Sequence, residues 1–313
     1  MKFTKPAYTT DQHIGLLESR GLTFPDYERA KRYLMTIGYY RLSAYFLPFQ
    51  EEKNKFKSGA TFSDILDLYI FDRKLRVHVM DALERIEVAI RSVLSDTLCN
   101  RYDPHWYMNE EVFSTSFKEP SQLNGKSQYE IFKNKIIFHT GKKNHGHRNP
   151  SCQHYYEVYT EPELPPSWMI AEVLPMGTWS LVYENIDKGK IKQKISKFFS
   201  FKTNDFAGWL HALTLIRNNC AHHSRFWNST FPPKAKNIAK YTHPDIVIDT
   251  PYANLALIQA ILISFTNQST WSKRLYDLIQ EYYDLIHDCP LDIRHHMNFP
   301  VDWDQIPFWH FHS

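Results

Sequence analysis

The sequence predicts an all-α protein: a helical bundle preceded by a small N-terminal helical region. Three observations lead there. Glycine is scarce, at 10 of 313 residues, and glycine and proline are the strongest local breakers of helices. The stretch TFSDILDLYIFDRKLRVHVMDALERIEVAIRSVLSDTL, Thr61 to Leu98, contains neither. Along it Leu68, Leu75, Val79, Ala82, Ile86, Ala89 and Val93 recur at helical spacing and mark one apolar face. No segment reads convincingly as a strand, and there is no internal repeat or low-complexity tract.

Apolar residues make up 43% of the chain, ample for a core. The length allows one large domain or two unequal ones. The expected division is an N-terminal helical region, 1–58, and a helical domain, 59–313, with a basic insert around 100–166. The net charge is only +3, so any nucleic-acid contact has to come from local patches. Cys99, Cys152, Cys220 and Cys289 lie far apart with no CxxC, which argues against a disulfide framework or a Cys-rich zinc site. The opening MKFTKPAYTTDQH has no apolar run of the secretory type. LALIQAILISF, Leu255 to Phe265, is too short to span a bilayer and contains Gln259. A cytoplasmic protein without a membrane segment is expected.

In chain order, TTDQHIGLLESRG begins at a capping residue and stops at Gly21, a plausible residue just past a helix. FPDYERAKRYLMTIG has Pro25 near its first turn and stops at Gly38. YYRLSAYFLPF runs to Pro48. Helix, short turn, helix is also the outline of a DNA-binding helix-turn-helix. EEKNKFKSGA, Glu51 to Ala60, reads as a polar loop. The long helix follows, with Ser63 or Asp64 as its cap. Residues 100 to 166 are the least regular and hold the basic, His-rich loop GKKNHGHRNPSCQHYY. Pro175 and Gly177 interrupt the next helical pattern, and a lysine-rich segment follows it. One helix is then expected from near Asn204 to short of Pro232, and two more at Asn254 to Asn267 and Trp271 to His287. The aromatic tail NFPVDWDQIPFWHFHS is expected to lie over the core.

The helix before Pro232 carries LIRNNCAHHSRFWN, Leu215 to Asn228, unusually polar for a core helix. On a wheel of about 100° per residue, Asn218, His222 and Arg225 form one stripe flanked by Arg217, Ala221 and Asn228. His223 falls on the opposite apolar arc with Ile216 and Trp227, so it is expected in the core. A histidine exchanges protons near neutral pH, and arginine matches phosphate oxygens as a charged fork. Arg217, Asn218 and His222, supported by Arg225, therefore suit cleavage of an RNA phosphodiester with no metal or other cofactor. Arg217 and His222, about 140° apart around the helix, edge a broad face and cannot pinch one small group alone, and cleavage by this route needs both a base and an acid. A second copy across a two-fold axis would complete the set.

Arg217 to His222 fits the R-x4-6-H signature of HEPN domains. The wider RNNCAHHSRFWN resembles the Abi-like family of bacterial phage-defence proteins, the AbiD/AbiF group. Four further blocks agree in order: RGLTFPDYERAKRYLMTIGYYRLSAYFLPF, FDRKLRVHVMDALERIEVAIRS, HYYEVYTEPELPPSWMIAEVLPMGTWSLVYENI and MNFPVDWDQIPFW. The likeness runs from about Thr10 to Trp309. It implies a HEPN-type helical bundle and metal-independent endoribonuclease activity formed across a homodimer. It also implies a toxin-like role in abortive infection and restraint by a small structured non-coding RNA. Arg217, Asn218 and His222 carry over as catalytic residues. The motif would also admit His223; the wheel selects His222.

Glu87 and Arg91 stand at i,i+4 on the long helix with Glu84 nearby, and are expected either as a plain ion pair or beneath the catalytic face, orienting Arg217 or His222. Lys142, Lys143 and Arg148 in the insert, and Lys188, Lys190, Lys192, Lys194 and Lys197 after it, are candidate RNA-backbone contacts. Tyr155, Tyr156, Phe198 and Phe199 are candidates for stacking on unpaired bases. His145, His147, Cys152 and His154 match no common zinc spacing. The competing readings are a non-catalytic RNA-binding module and a DNA-binding regulator built on Thr10 to Pro48.

Overall fold

Several helices begin where a side chain takes up the first free amide groups. The computed structural model describes residues 2, 6–122, 125–142, 149–187, 189–231, 236–285 and 291–309. Thr9 caps α1 (Thr10–Ser19) through a reciprocal box with Gln12, and Asp26 caps α2 (Tyr27–Ile37). Gly21 and Gly38 follow at φ of +90°, a conformation that side chains disfavour. The third helix, α3 (Tyr39–Ser43), has only five residues. Ile14, Leu17, Ala30, Leu34 and Leu42 pack these three together.

The polar loop expected at Glu51 to Ala60 contains a short antiparallel hairpin, β1 (Gln50–Glu52) with β2 (Lys55–Phe56). Asn54 makes its turn at φ of +69°, a conformation asparagine tolerates better than most residues. Polar alternation on so short a hairpin leaves little trace in the sequence.

The spine is α4 (Phe62–Arg101), 40 residues long, or about 60 Å at 1.5 Å per residue. Its cap is Thr61 rather than Ser63 or Asp64; Asp64 closes the reciprocal box from three residues on. The insert folds into α5 (Thr115–Lys118), α6 (Gln128–His139) and α7 (Pro150–Val158). Then come α8 (Ser167–Val173), α9 (Met176–Asn185), α10 (Gly189–Phe198) and α11 (Thr203–Ala221). The last elements are α12 (Pro251–Phe265), α13 (Trp271–Leu285) and α14 (Ile293–Met297). Helices α8 to α13 all pack on α4. Trp303 and Trp309 of the tail are fully buried. The fold is all-α, as expected. One continuous apolar cluster runs from Ile14 to Trp309. Among the described residues, no helix is long and apolar enough to cross a membrane.

His78 joins α13 to the spine. Its ring stacks on Trp271 at 4.7 Å with the planes 9° apart, and the indole Nε1 donates to the His78 carbonyl at 2.9 Å. Burial, helped by the Arg274 charge, pushes this imidazole from 6.5 down to about 4, against the Asp81 charge and a hydrogen bond to the Trp271 backbone. The folded state thus holds the ring neutral while the unfolded chain protonates first. The resulting stability is present above about 6.5 and is lost as pH falls toward about 4. Denaturant melts across that window should lose roughly 2–3 kcal/mol, since one pKa unit corresponds to about 1.4 kcal/mol. His78→Phe, which keeps a stacking ring, should flatten the slope. A parallel slope in that variant would rule His78 out as its source.

Candidate active site

Helix α11 lies across α4 and α9. Gly177 of α9 allows close approach: a Cβ there would stand 3.1 Å from Thr214 Cγ2. Phe206, Trp209, Leu210, Leu213, Ile216 and Cys220 face inward. The opposite stripe, His211, Leu215, Asn218 and His222, is exposed. Burial, together with the nearby Asp72 charge, pushes the Cys220 thiol up to about 12, so it stays protonated and inert.

The helix ends earlier than expected. Ala221 is its last residue, His222 is the cap, and His223 turns left-handed at φ of +58°. His223 N–H bonds the Cys220 carbonyl at 3.0 Å and Ser224 N–H bonds the Asn219 carbonyl at 3.0 Å. This is a Schellman stop, usually made with glycine. Two expectations are thereby corrected. His223 is exposed rather than in the core, because the helical wheel does not extend past His222. Arg225 does not continue the Asn218–His222 stripe; its guanidinium bonds the Ala44 carbonyl at 2.5 Å.

Arg217 sits at the edge of the polar stripe above α4. Its Nε lies 3.7 Å from Glu87 Oε2, and Nη1 lies 3.5 Å from Asn218 Oδ1. Glu87 is itself buried and paired through its other oxygen with Arg91. One carboxylate thus lies between two guanidinium groups, Arg91 below and Arg217 toward solvent. An open groove of about 470 Å³ runs alongside, lined by Val77, Met80, Asp81, Glu84, Glu87 and Arg217.

Beneath the turn lies a residue the sequence reading missed. Asp72 of α4 is fully buried. Its Oδ1 accepts the backbone amides of Phe226 at 3.0 Å and Trp227 at 2.8 Å. Its Oδ2 accepts the Tyr45 hydroxyl at 2.6 Å and pairs with buried Arg76. Burial drives this carboxyl upward in pKa; Arg76, Tyr45 and the two amides oppose it. The available signal was Asp72 and Arg76 at i,i+4 on the apolar side of the long helix. From α3, Arg41 donates to the His223 carbonyl at 2.8 Å.

The basic patches are less uniform than their sequence. Lys190, Lys194 and Lys197 are exposed on α10, while Lys192 is half-buried and donates to the Glu184 carbonyl at 2.6 Å. Lys142 pairs with Glu163 at 2.5 Å. Lys143, Arg148, Lys188, His145 and His147 lie outside the described residues. Of the aromatics, Tyr155 and Phe199 are buried and Tyr156 bonds Thr140, leaving Phe198 exposed.

The Abi-like protein family profile matches residues 32–228, from α2 to the segment that Asp72 holds. The chain belongs to the Abi-like family. Comparison with curated proteins and with solved structures gives no match. Membership in the Abi-like family suggests a part in abortive-infection phage defence. The matched span of this Abi-like chain ends one residue after Trp227, so it takes in both the R-x4-H helix and its buried anchor.

Asp72→Ala should strip the partner from a buried arginine and uncap two amides, lowering unfolding free energy by about 3–5 kcal/mol. Asp72→Ala with Arg76→Met should recover part of that loss, because no buried charge is then left unpaired. Urea midpoints check both. A loss below about 1 kcal/mol for the single variant would show that the network carries little of the fold.

Proposed function

We propose that this Abi-like protein is a metal-independent endoribonuclease of the HEPN type, acting in abortive infection. The observation that carries the reading is the divided α11. Its inner side is packed in the core, while Asn218 and His222 stand exposed one turn apart with Arg217 beside them over Glu87. In this reading His222 moves the proton of the attacking 2′-hydroxyl. Arg217, held by Glu87, which Arg91 in turn fixes through its other oxygen, meets the charge that develops on the phosphate, and Asn218 orients the reacting group. Arg225 supports the site from beneath, through the turn it clips to Ala44. A second copy supplies the complementary proton transfer in a homodimer. Exposed Lys190, Lys194 and Lys197 offer charge for RNA phosphates, those of the substrate and of a small structured RNA that restrains the toxin.

The helix-turn-helix alternative has less behind it. In the segment Thr10 to Pro48, α3 has only five residues, with Leu42 buried and Arg41 bound to the His223 carbonyl, which leaves α2, with Arg29 and Arg32, to enter a DNA groove.

The test is RNA cleavage by purified protein in chelator, with end-group analysis. Cleavage should persist and leave 2′,3′-cyclic phosphate. His222→Ala should lower the rate at least about 100-fold, the lower range for a general acid–base group. His223→Gly, which suits the left-handed turn, should keep both fold and activity. Undiminished cleavage by His222→Ala would refute the assignment.

A further inference from the structure

The short helix α3 is fixed to the proposed site from both ends. Arg41 bonds the carbonyl of His223, the residue after His222, at 2.8 Å. Arg225 returns a bond to Ala44 at 2.5 Å. Tyr45, just beyond the helix, reaches the same buried Asp72 that holds Phe226 and Trp227. A helix of five residues has no stability of its own; these contacts give it one position relative to His222.

On this fixed helix, next to Arg41, stands Tyr40, which is 92% exposed. Its neighbours serve the fold: Tyr39 stacks on His13 at 4.2 Å and Leu42 is buried. Tyr40 serves no packing among the described residues. An aromatic ring left in water on a rigid support is the arrangement that takes up an unpaired base.

We propose that Tyr40 is a substrate-contact residue, a stacking platform that holds one unpaired base of an RNA strand entering the site at His222. The proposal rests on the ribonuclease reading for its substrate, yet its binding step is separable from cleavage. It also gives the N-terminal region a role as one wall of the site. The ring reads the flat face of a base and makes no phosphate contact. It therefore favours single-stranded over duplex RNA with little choice of base.

The test uses the full chain carrying His222→Ala, so that RNA stays intact, and a fluorescein-labelled unstructured RNA of about twelve nucleotides, within the span of one single-strand site. Adding Tyr40→Ala should weaken binding about tenfold, within the range for one stacked base, without changing the slope of affinity against salt. Tyr40→Phe and Tyr40→Trp should restore binding. In the cleaving protein, Tyr40→Ala should raise KM with kcat unchanged. Failure of the parent to cleave RNA would sink the ribonuclease reading while the binding series still judges Tyr40. Equal binding with and without the ring would overturn the proposal, as would a shallower salt slope or failure of Phe to restore binding. A Tyr40→Ala effect on sedimentation without RNA would also overturn it, assigning the ring instead to a contact between copies of the chain.

Discussion

The turn that ends the motif helix depends on one buried carboxylate. Asp72 lies on the core side of a 40-residue helix, where an unpaired charge would be prohibitive. It is tolerated because four donors surround it: two backbone amides, a tyrosine hydroxyl and a guanidinium. Those donors come from three places in the chain, so satisfying the charge fixes all three together. The segment after His223 cannot drift from α4, and α3 cannot drift from that segment. The exposed histidine pair is thus held by groups that touch neither ring.

In the proposed ribonuclease reading, this arrangement separates the reacting groups from their support. Arg217, Asn218 and His222 lie at the surface, where a long polymer could reach them, while Glu87, Arg91, Asp72 and Arg76 form the layer below. Glu87 lies 3.7 Å from Arg217 Nε, so a buried carboxylate stands beside the half-buried guanidinium. The left-handed turn at His223 then carries the chain sharply down to Asp72. Placing two histidines at a helix end makes them unequal by backbone geometry: one still lies on the helical stripe, and the other begins the descent.

The fold class and several helix ends were legible because local rules govern them, whereas α5, α6 and α7 lay in a stretch whose pattern reads as irregular. Gly21, Gly38 and Pro175 punctuate helices wherever they occur, and the apolar repeat of α4 needs no tertiary knowledge. The Arg217–Asn218–His222 cluster was legible for the same reason, since helical spacing holds up to His222. Beyond it the wheel failed. No glycine or proline marks the stop, and a Schellman turn with histidine in the left-handed position is set by what the next residues meet. Phe226 and Trp227 meet Asp72, more than 150 positions away. The contacts of Arg41 and Arg225 are equally non-local, so the link between the N-terminal helices and the site had no sequence signal beyond a pair of charges inside an apolar helix.

The central claim is that Asp72 fastens the turn beneath His222 to the spine. Native-state hydrogen exchange at the Phe226 and Trp227 amides, compared between the parent chain and Asp72→Asn, measures this directly. Both amides should be protected in the parent to the level of the α4 core amides, and the variant should release them well before global unfolding. Exchange as fast as that of an exposed loop in the parent, or equal protection in the two proteins, would contradict the account.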